Sequence, residues 1–362
     1  MKIGIVGMPI SGKTTLFNAL TGSQVDTTAF LGRMEAHHAI VQVPDERFDR
    51  LNDIFQPKKS TPATVEYIDV AGLSADEQRK KGFSDQLLGE LRTVDALLVV
   101  VRAFSDDNVP HPHNTLDPKR DLKIVESEFI LSDMSIVENR LSRLTKKMRT
   151  LKTDQDVREF SLLEKCLASL ENEQSLRLIE FQPEDEFLIR GYQFLTAKPL
   201  ICLLNIHERD ISEENKLIDS LDEYRNLRNT TVIAISAKIE MEIQQLSADE
   251  AELFREDLGI SRSAMEKLIR TSFDLLGLIS FFTVNEAELH VWTIPAFTRA
   301  PQAAGAVHSD MERGFIRAEV VHFGDFIERG SLAQCRSDGV LHVEGKDYVV
   351  QDGDLVYFRF AV

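Results

Sequence analysis

Lys2-Ile3-Gly4-Ile5-Val6-Gly7-Met8-Pro9-Ile10-Ser11-Gly12-Lys13-Thr14-Thr15 joins an apolar run of strand length to a glycine-bounded turn and then to a helical stretch over 14–20. The turn has the spacing G-x-x-x-x-G-K-S/T. In the order strand, turn, helix, this spacing turns backbone N–H groups inward and puts the positive end of a helix dipole in the same place, an arrangement suited to phosphate. Gly7 and Gly12 bound the turn, with Pro9, Ile10 and Ser11 between them. Lys13 is expected to neutralise the β- and γ-phosphates and to carry part of the catalysis. Thr14 is expected to ligate Mg²⁺ through its hydroxyl, and Thr15 completes the phosphate-contacting set. The segment predicts binding of a nucleoside triphosphate with Mg²⁺, followed by its hydrolysis.

Working outward, further buried-strand patterns fall at 40–43, 64–69, 96–101, 200–205 and 231–236, with helical spacing between several of them. Such alternation predicts an α/β fold with a parallel sheet and helices on both faces. Ile68-Asp69-Val70-Ala71-Gly72-Leu73 ends one strand in D-x-x-G. There Asp69 is a second candidate Mg²⁺ ligand, and the Gly72 N–H a sensor of the third phosphate. Asn205-Ile206-His207-Glu208 follows another strand where GTPases carry N-K-x-D, and Ser236-Ala237-Lys238 follows the next, matching the S-A-K element beside the base. Asn205, Ile206, Glu208, Ser236 and Ala237 are therefore the candidate base contacts.

The alternation stops over 122–195. Val137, Leu141, Leu144, Met148 and Leu151 recur at helical spacing, as do Leu162, Leu163, Cys166, Leu167 and Leu170. Two long helices folded as a hairpin and inserted into the α/β domain account for this pattern. The first carries Arg140, Arg143, Lys146, Lys147, Arg149 and Lys152 with no acid between Glu138 and Asp154. That cationic face either contacts RNA phosphates, ribosomal ones included, or pairs with acids of the second helix. From residue 278 the pattern changes to short β-like runs at 281–283, 288–293, 314–321, 348–350 and 356–360. The expected division is 1–121 with 196–277 as the nucleotide domain, 122–195 as the hairpin, and 278–362 as a small α+β domain.

Lys plus Arg number 42 and Asp plus Glu 59, a net charge of −17. Bulk adhesion to nucleic acid or anionic membrane is not expected of such a chain, although a local basic patch is compatible with it. The longest clean apolar stretch, 96–101, is too short to span a bilayer. Three cysteines, Cys166, Cys202 and Cys335, stand far apart with no C-x-x-C spacing, which fits a reducing cytoplasm and neither a disulfide framework nor a zinc site.

With these residues in hand, the chain resembles the YchF-type P-loop NTPases, related to the Obg translation-factor GTPases. The resemblance runs along nearly the whole chain. Its most specific segments are Ala300-Pro301-Gln302-Ala303-Ala304-Gly305, Glu312-Arg313-Gly314-Phe315-Ile316-Arg317 and Glu344-Gly345-Lys346-Asp347-Tyr348. It implies a G domain, the helical hairpin, a C-terminal TGS module of the ubiquitin-like β-grasp type, and preference for ATP over GTP. The chain departs from the family pattern at Arg33, which stands where a switch threonine belongs, with Thr27 and Thr28 upstream. It departs again at His37, at Ala39, and through the run 74–86 in place of a glycine-rich stretch. Leu73 occupies the position from which a glutamine orients the attacking water in Ras-like enzymes, so intrinsic turnover is expected to be slow. His111, in Asp106-Asp107-Asn108-Val109-Pro110-His111-Pro112-His113, matches a family histidine and is the candidate for that task.

Overall fold

The computed structural model describes residues 1–21, 37–70, 82–106, 109–258 and 263–361. In chain order the first part runs β1 (Lys2–Val6), α1 (Lys13–Thr21), β2 (His37–Gln42), α2 (Glu46–Phe55), β3 (Lys59–Thr61), β4 (Thr64–Asp69), α3 (Asp85–Arg92), β5 (Ala96–Arg102), α4 (Pro118–Met148) and α5 (Asp154–Glu171). Then come β6 (Leu200–Asn205) and β7 (Thr230–Ile235). The strands β2-β4-β1-β5-β6-β7 lie side by side in that order. Pairing from β4 through β7 is parallel. Every residue of β5 and β6 is buried. Strands covered on both faces carry unbroken apolar runs, which is why Ala-Leu-Leu-Val-Val-Val and Leu-Ile-Cys-Leu-Leu read so plainly.

The two long helices are present, and the first is longer than its hairpin. Leu122, Val125 and Phe129 of α4 belong to the core beneath the sheet. Ile130, Val137 and Leu144 of the same helix pack with Leu162, Leu163, Cys166 and Leu170 of α5. One continuous helix thus runs out of the sheet domain and becomes the first arm of the hairpin. Asp133, fully buried where the two cores meet, fixes the junction. It accepts from Arg92 Nη1 (2.8 Å), from the Leu195 and Thr196 N–H groups (3.2 and 2.8 Å) and from the Thr196 hydroxyl (2.8 Å). The turn falls at 149–153, where the Thr153 side chain caps α5 by accepting from the Asp156 N–H. Leu151, expected on the apolar stripe, lies past the end of α4 and is exposed.

A second sheet contains β8 (Leu278–Val284), β9 (Glu288–Pro295), β10 (Phe315–His322), β11 (His342–Glu344) and β12 (Asp354–Phe360), in the order β11-β10-β12-β8-β9-β3. The β8–β9 hairpin, β12 parallel to β8 and β10 antiparallel to β12 make the β-grasp arrangement. The stretch 348–350, expected as a strand, makes only an isolated bridge between Val349 and Arg299.

The backbone separates into two units, Met1–Val41 with Glu66–Leu268 and Gln42–Val65 with Ile269–Val362. This division differs from the expected one in three ways, the first being that the C-terminal unit begins at Ile269 and not at residue 278. The hairpin is not separate from the nucleotide domain, because α4 spans both cores. The segment carrying α2 and β3 groups with the C-terminal unit. There β3 pairs in parallel with β9, and Leu51 and Ala63 enter a core with Phe282, Val291, Phe326 and Leu355. Arg47 holds this segment in place by donating to Asp45 and, at 2.6 Å, to Asp352. No helix among the described residues is long and apolar enough to cross a membrane.

Candidate nucleotide-binding site

Between β1 and α1 the chain curls into the predicted loop, and its glycines are demanded by space. A Cβ on Gly7 would stand 2.3 Å from the Val100 carbonyl oxygen. Gly12 has φ of +93°, and a Cβ there would stand 2.1 Å from Asn205 Nδ2. Lys13 is buried, and its ammonium lies inside the curl, donating to the carbonyls of Gly7 (3.1 Å) and Met8 (2.9 Å). Burial lowers its pKa to about 8, with the charge of Asp69 opposing the fall.

Asp69 closes β4 and is also buried. Burial raises its pKa, against the charges of Lys13 and His37. Among the described residues its Oδ1 has no hydrogen-bond partner, and neither do the buried hydroxyls of Ser11 in the loop and Ser236 after β7. Buried polar atoms without partners are rare in folded proteins, and here they mark where a polar ligand belongs. Mg²⁺ fits these donors. Asp69 and the half-buried Thr14 offer hard oxygens, while no group of three metal-binding side chains occurs among the described residues.

Asn205 is held at both ends of its amide. Its Nδ2 donates to the Ser11 carbonyl (3.0 Å) and its Oδ1 accepts from the Ala237 N–H (3.1 Å). It therefore buttresses the phosphate loop and ties it to the S-A-K element. Ile206 is buried, and its N–H donates to the Ile235 carbonyl. Glu208 lies 3.5 Å from Lys238 Nζ, so the carboxylate at the guanine-reading position has a cationic neighbour. Pro9 is half-buried, Ile10 is exposed at φ of +61°, and Thr15 is half-buried on α1. Gly72, Leu73, Arg33, Thr27, Thr28 and most of the run 74–86 lie outside the described residues.

His111 has both ring nitrogens engaged. Nε2 pairs with Asp121 Oδ2 at 2.8 Å, and Nδ1 accepts from the His113 N–H at 3.1 Å. The acceptor role of Nδ1 puts the proton on Nε2. Asp121, buried and also bonded to Arg120, escaped the sequence reading because it lies on a helix ten residues after the histidine. So did Arg102 at the end of β5. It donates to the Phe104 and Val109 carbonyls at 3.1 and 2.6 Å, on either side of the loop that leads to His111, and its Nη1 has no partner among the described residues.

On the hairpin, Arg140 and Lys147 are paired with Glu159 and Asp156, each at 2.7 Å. Arg143, Lys146, Arg149 and Lys152 are exposed, with no ion pair among the described residues. Of the six cations, two are thus neutralised by the second helix, and four have no ion pair among the described residues.

Two family models match the chain. Residues 2–140 match one described as a 50S ribosome-binding GTPase, and residues 278–361 match the YchF-type GTPase C-terminal model, described as a protein of unknown function. A ribosome-binding ATPase YchF from Bacillus subtilis is 40% identical over 365 residues, with 100% of both chains covered. The Obg-like ATPase 1 of Oryza sativa subsp. japonica is 37% identical, with 100% of this chain and 92% of the relative covered. The solved structure of the Schizosaccharomyces pombe YchF GTPase superposes with a TM-score of 0.87 at 34% identity, over 99% of this chain and 97% of the other. Full-length identity at this level, together with the phosphate loop and the β-grasp unit, makes the chain a member of the YchF family of P-loop NTPases.

Proposed function

We propose that this protein binds ATP in preference to GTP together with Mg²⁺, hydrolyses it slowly, and uses the nucleotide state to govern association with the ribosome. The observation that carries the proposal is the set of Lys13, Asp69 and Asn205. A buried ammonium lies in a glycine loop, a buried carboxylate oxygen lacks a partner, and an amide locks the loop shape. In this reading the Lys13 ammonium exchanges its two loop carbonyls for phosphate oxygens. The loop N–H groups and the N-terminus of α1 hold the remaining phosphate charge. Mg²⁺ held by Thr14 and Asp69 would supply further charge neutralisation at the β- and γ-phosphates.

Glu208 argues for weaker guanine discrimination. N-K-x-D reads guanine by a bidentate carboxylate, and such polar pairs carry most of the discrimination. Glu208 is one methylene longer than Asp, and Lys238 draws it aside. Ile206 replaces the lysine stem with an apolar contact that suits either purine. The ATPase names of the relatives support the adenine side.

Slow turnover rests on two positions. Leu73 has no polar atom with which to orient water. His111 has no free ring nitrogen in the described conformation. In the proposed mechanism Asp121 keeps the proton on Nε2 and orients the ring, as the third group of a catalytic triad orients its base. Nδ1 meets water once the His113 N–H lets go. A second reading, a nucleotide-dependent docking protein with almost no turnover, draws on the same engagement of both nitrogens. The four unpaired hairpin cations are proposed to meet ribosomal RNA phosphates.

One set of titrations tests the core of the proposal. ATP and GTP are titrated into the parent, Lys13→Ala and His111→Ala at equal Mg²⁺, and single-turnover hydrolysis is then followed. ATP should bind more tightly than GTP, Lys13→Ala should lose most affinity for both, and His111→Ala should bind normally but turn over about 10²-fold more slowly. Tighter GTP binding, normal binding by Lys13→Ala, or unchanged turnover in His111→Ala would each remove the corresponding part.

The lysine also gives a pH signature. Burial depresses its pKa, so the unfolded chain holds the extra proton between about pH 8 and 10.5, and this group adds stability as pH rises through that window. Phosphate binding needs the charged form and shifts the opposite way. ATP affinity should be level below about pH 8 and fall above it, by at most about tenfold per pH unit, with proton uptake on binding. Calorimetry in buffers of different ionisation enthalpy reads both effects, and level affinity with no proton uptake would contradict the assignment.

For the hairpin, Arg143→Glu with Lys146→Glu should weaken ribosome association and lower the salt slope, whereas Lys147→Gln should do less because Asp156 already holds that lysine. Cosedimentation across a salt series measures this, and equal effects from both variants would reject the distinction.

A further inference from the structure

One edge of the C-terminal sheet brings backbone, apolar and charged groups together beyond what the fold itself uses. β11 stands at the end of the strand order, and His342 and Val343 in it are exposed. In an antiparallel pair, alternate residues turn their N–H and C=O groups away from the partner strand. The outer side of β11 therefore presents backbone groups with no strand beside them among the described residues. Such an edge is a template for a further strand, and proteins commonly guard it with lysine or proline. β11 contains neither. A Cβ on the following Gly345 would meet nothing within 4 Å, so the space beside the edge is open.

Val343 is directly opposite Glu319 of β10, so the two side chains share a face. Glu319 is nearly buried, and three guanidinium groups converge on it there. Arg359 of β12 closes both carboxylate oxygens, Nε to Oε1 at 3.1 Å and Nη2 to Oε2 at 3.2 Å. That fork satisfies the carboxylate by itself. Arg336, from the helix Leu332–Ser337, adds a bond to Oε2 at 3.3 Å, and Arg317 of β10 stands 3.7 Å from Oε1. Among the described residues, none of the three has another ion-pair partner. Arg317 and Arg359 are also directly opposite each other, a placement in which like charges are destabilising. All three arginine side chains are more than half exposed, whereas Glu319 is 10% exposed. Three positive charges thus stand against one negative beside an open strand edge, in a chain of net charge −17.

An acidic peptide in extended form uses all of these groups at once. Its backbone continues the ladder beyond β11, and its carboxylates on one face take the spare N–H pairs as Glu319 already takes a fork. The stems of those acidic side chains pack on Val343. A polyphosphate chain would meet the arginines alone and leave the strand edge and Val343 unused. We infer that β11 is a docking edge for an extended acidic protein segment, which adds to the sheet as a strand and is selected by Arg317, Arg336 and Arg359. Glu319 is the positioning group. It keeps the three guanidinium groups together and subtracts one charge from their field. Docking here requires neither nucleotide nor the cationic hairpin.

The test uses the full chain, nucleotide-free, with Arg143→Glu and Lys146→Glu on the hairpin so that its cations do not capture the probe. The probe is a fluorescein-labelled peptide of alternating glutamate and valine, followed by anisotropy across a salt series. It should bind more tightly than a peptide with the same residues in two blocks, which cannot place its carboxylates on one strand face. Its isotope-edited infrared amide band should move to the strand position on binding. Arg336→Glu and Val343→Asp should each weaken binding about tenfold, and Arg336→Lys should weaken it less. Glu319→Gln should tighten binding by restoring full charge to the cluster, whereas a purely structural carboxylate would give weaker binding. Arg336 lies on a surface helix outside the sheet, so its variants report even where Glu319→Gln fails to fold. Equal affinity across the Arg336 and Val343 variants, or equal binding of the two peptides, would overturn the inference. So would capture of a uridylate oligoribonucleotide without capture of the alternating peptide.

Discussion

One amide side chain holds the nucleotide site in shape. Asn205 donates to the Ser11 carbonyl and accepts from the Ala237 N–H, so the loop after β1 and the turn after β7 are tied through the strand between them. A glycine loop without such a tie has many conformations, and only one of them points its N–H groups at a common centre. The contact is close enough to exclude any side chain at Gly12. Asn205 pairs in register with Ile235 on one side and with Arg102 on the other, and Arg102 in turn spans the loop leading to His111. The phosphate loop, the turn after β7 and the loop leading to His111 are thus all positioned from the ends of neighbouring parallel strands, where α/β folds present their ligand sites.

Most of this was legible in the sequence because the physics that shapes it is local. Doubly covered parallel strands need unbroken apolar runs, so β6 could be read to the residue. The phosphate loop could be read because its glycines answer steric demands that no other residue meets. What escaped was non-local. Nothing near residues 42–65 says that β3 will pair with a strand more than two hundred residues later in the chain, since Lys59-Ser60-Thr61 has no apolar alternation of its own. The run 348–350 has strand composition, but its backbone finds only one bridge. Leu151 kept the helical period past the point where α4 stops. Asn205 was recognised as a site residue from its motif, but only the fold shows the two partners of its amide. The dyad of His111 with Asp121 joins a loop to a helix and could be read only in three dimensions.

The distribution of charge follows one rule in both units. Each basic cluster is built around carboxylates that neutralise part of it: Asp156 and Glu159 on the hairpin, Glu319 on the C-terminal sheet. Counting acids and bases along the chain hides such surfaces, because the paired members cancel and the excess of a few arginines or lysines is lost in a large negative total.

The central claim is that the partnerless carboxylate oxygen of Asp69 belongs to the cation that accompanies the nucleotide. ATP affinity measured with Mg²⁺ and again with the divalent ion chelated, in the parent and in Asp69→Asn, tests it most directly. The account predicts that Mg²⁺ tightens ATP binding markedly in the parent and far less in Asp69→Asn, while the two proteins bind metal-free ATP alike. An equal gain from Mg²⁺ in both proteins would contradict it.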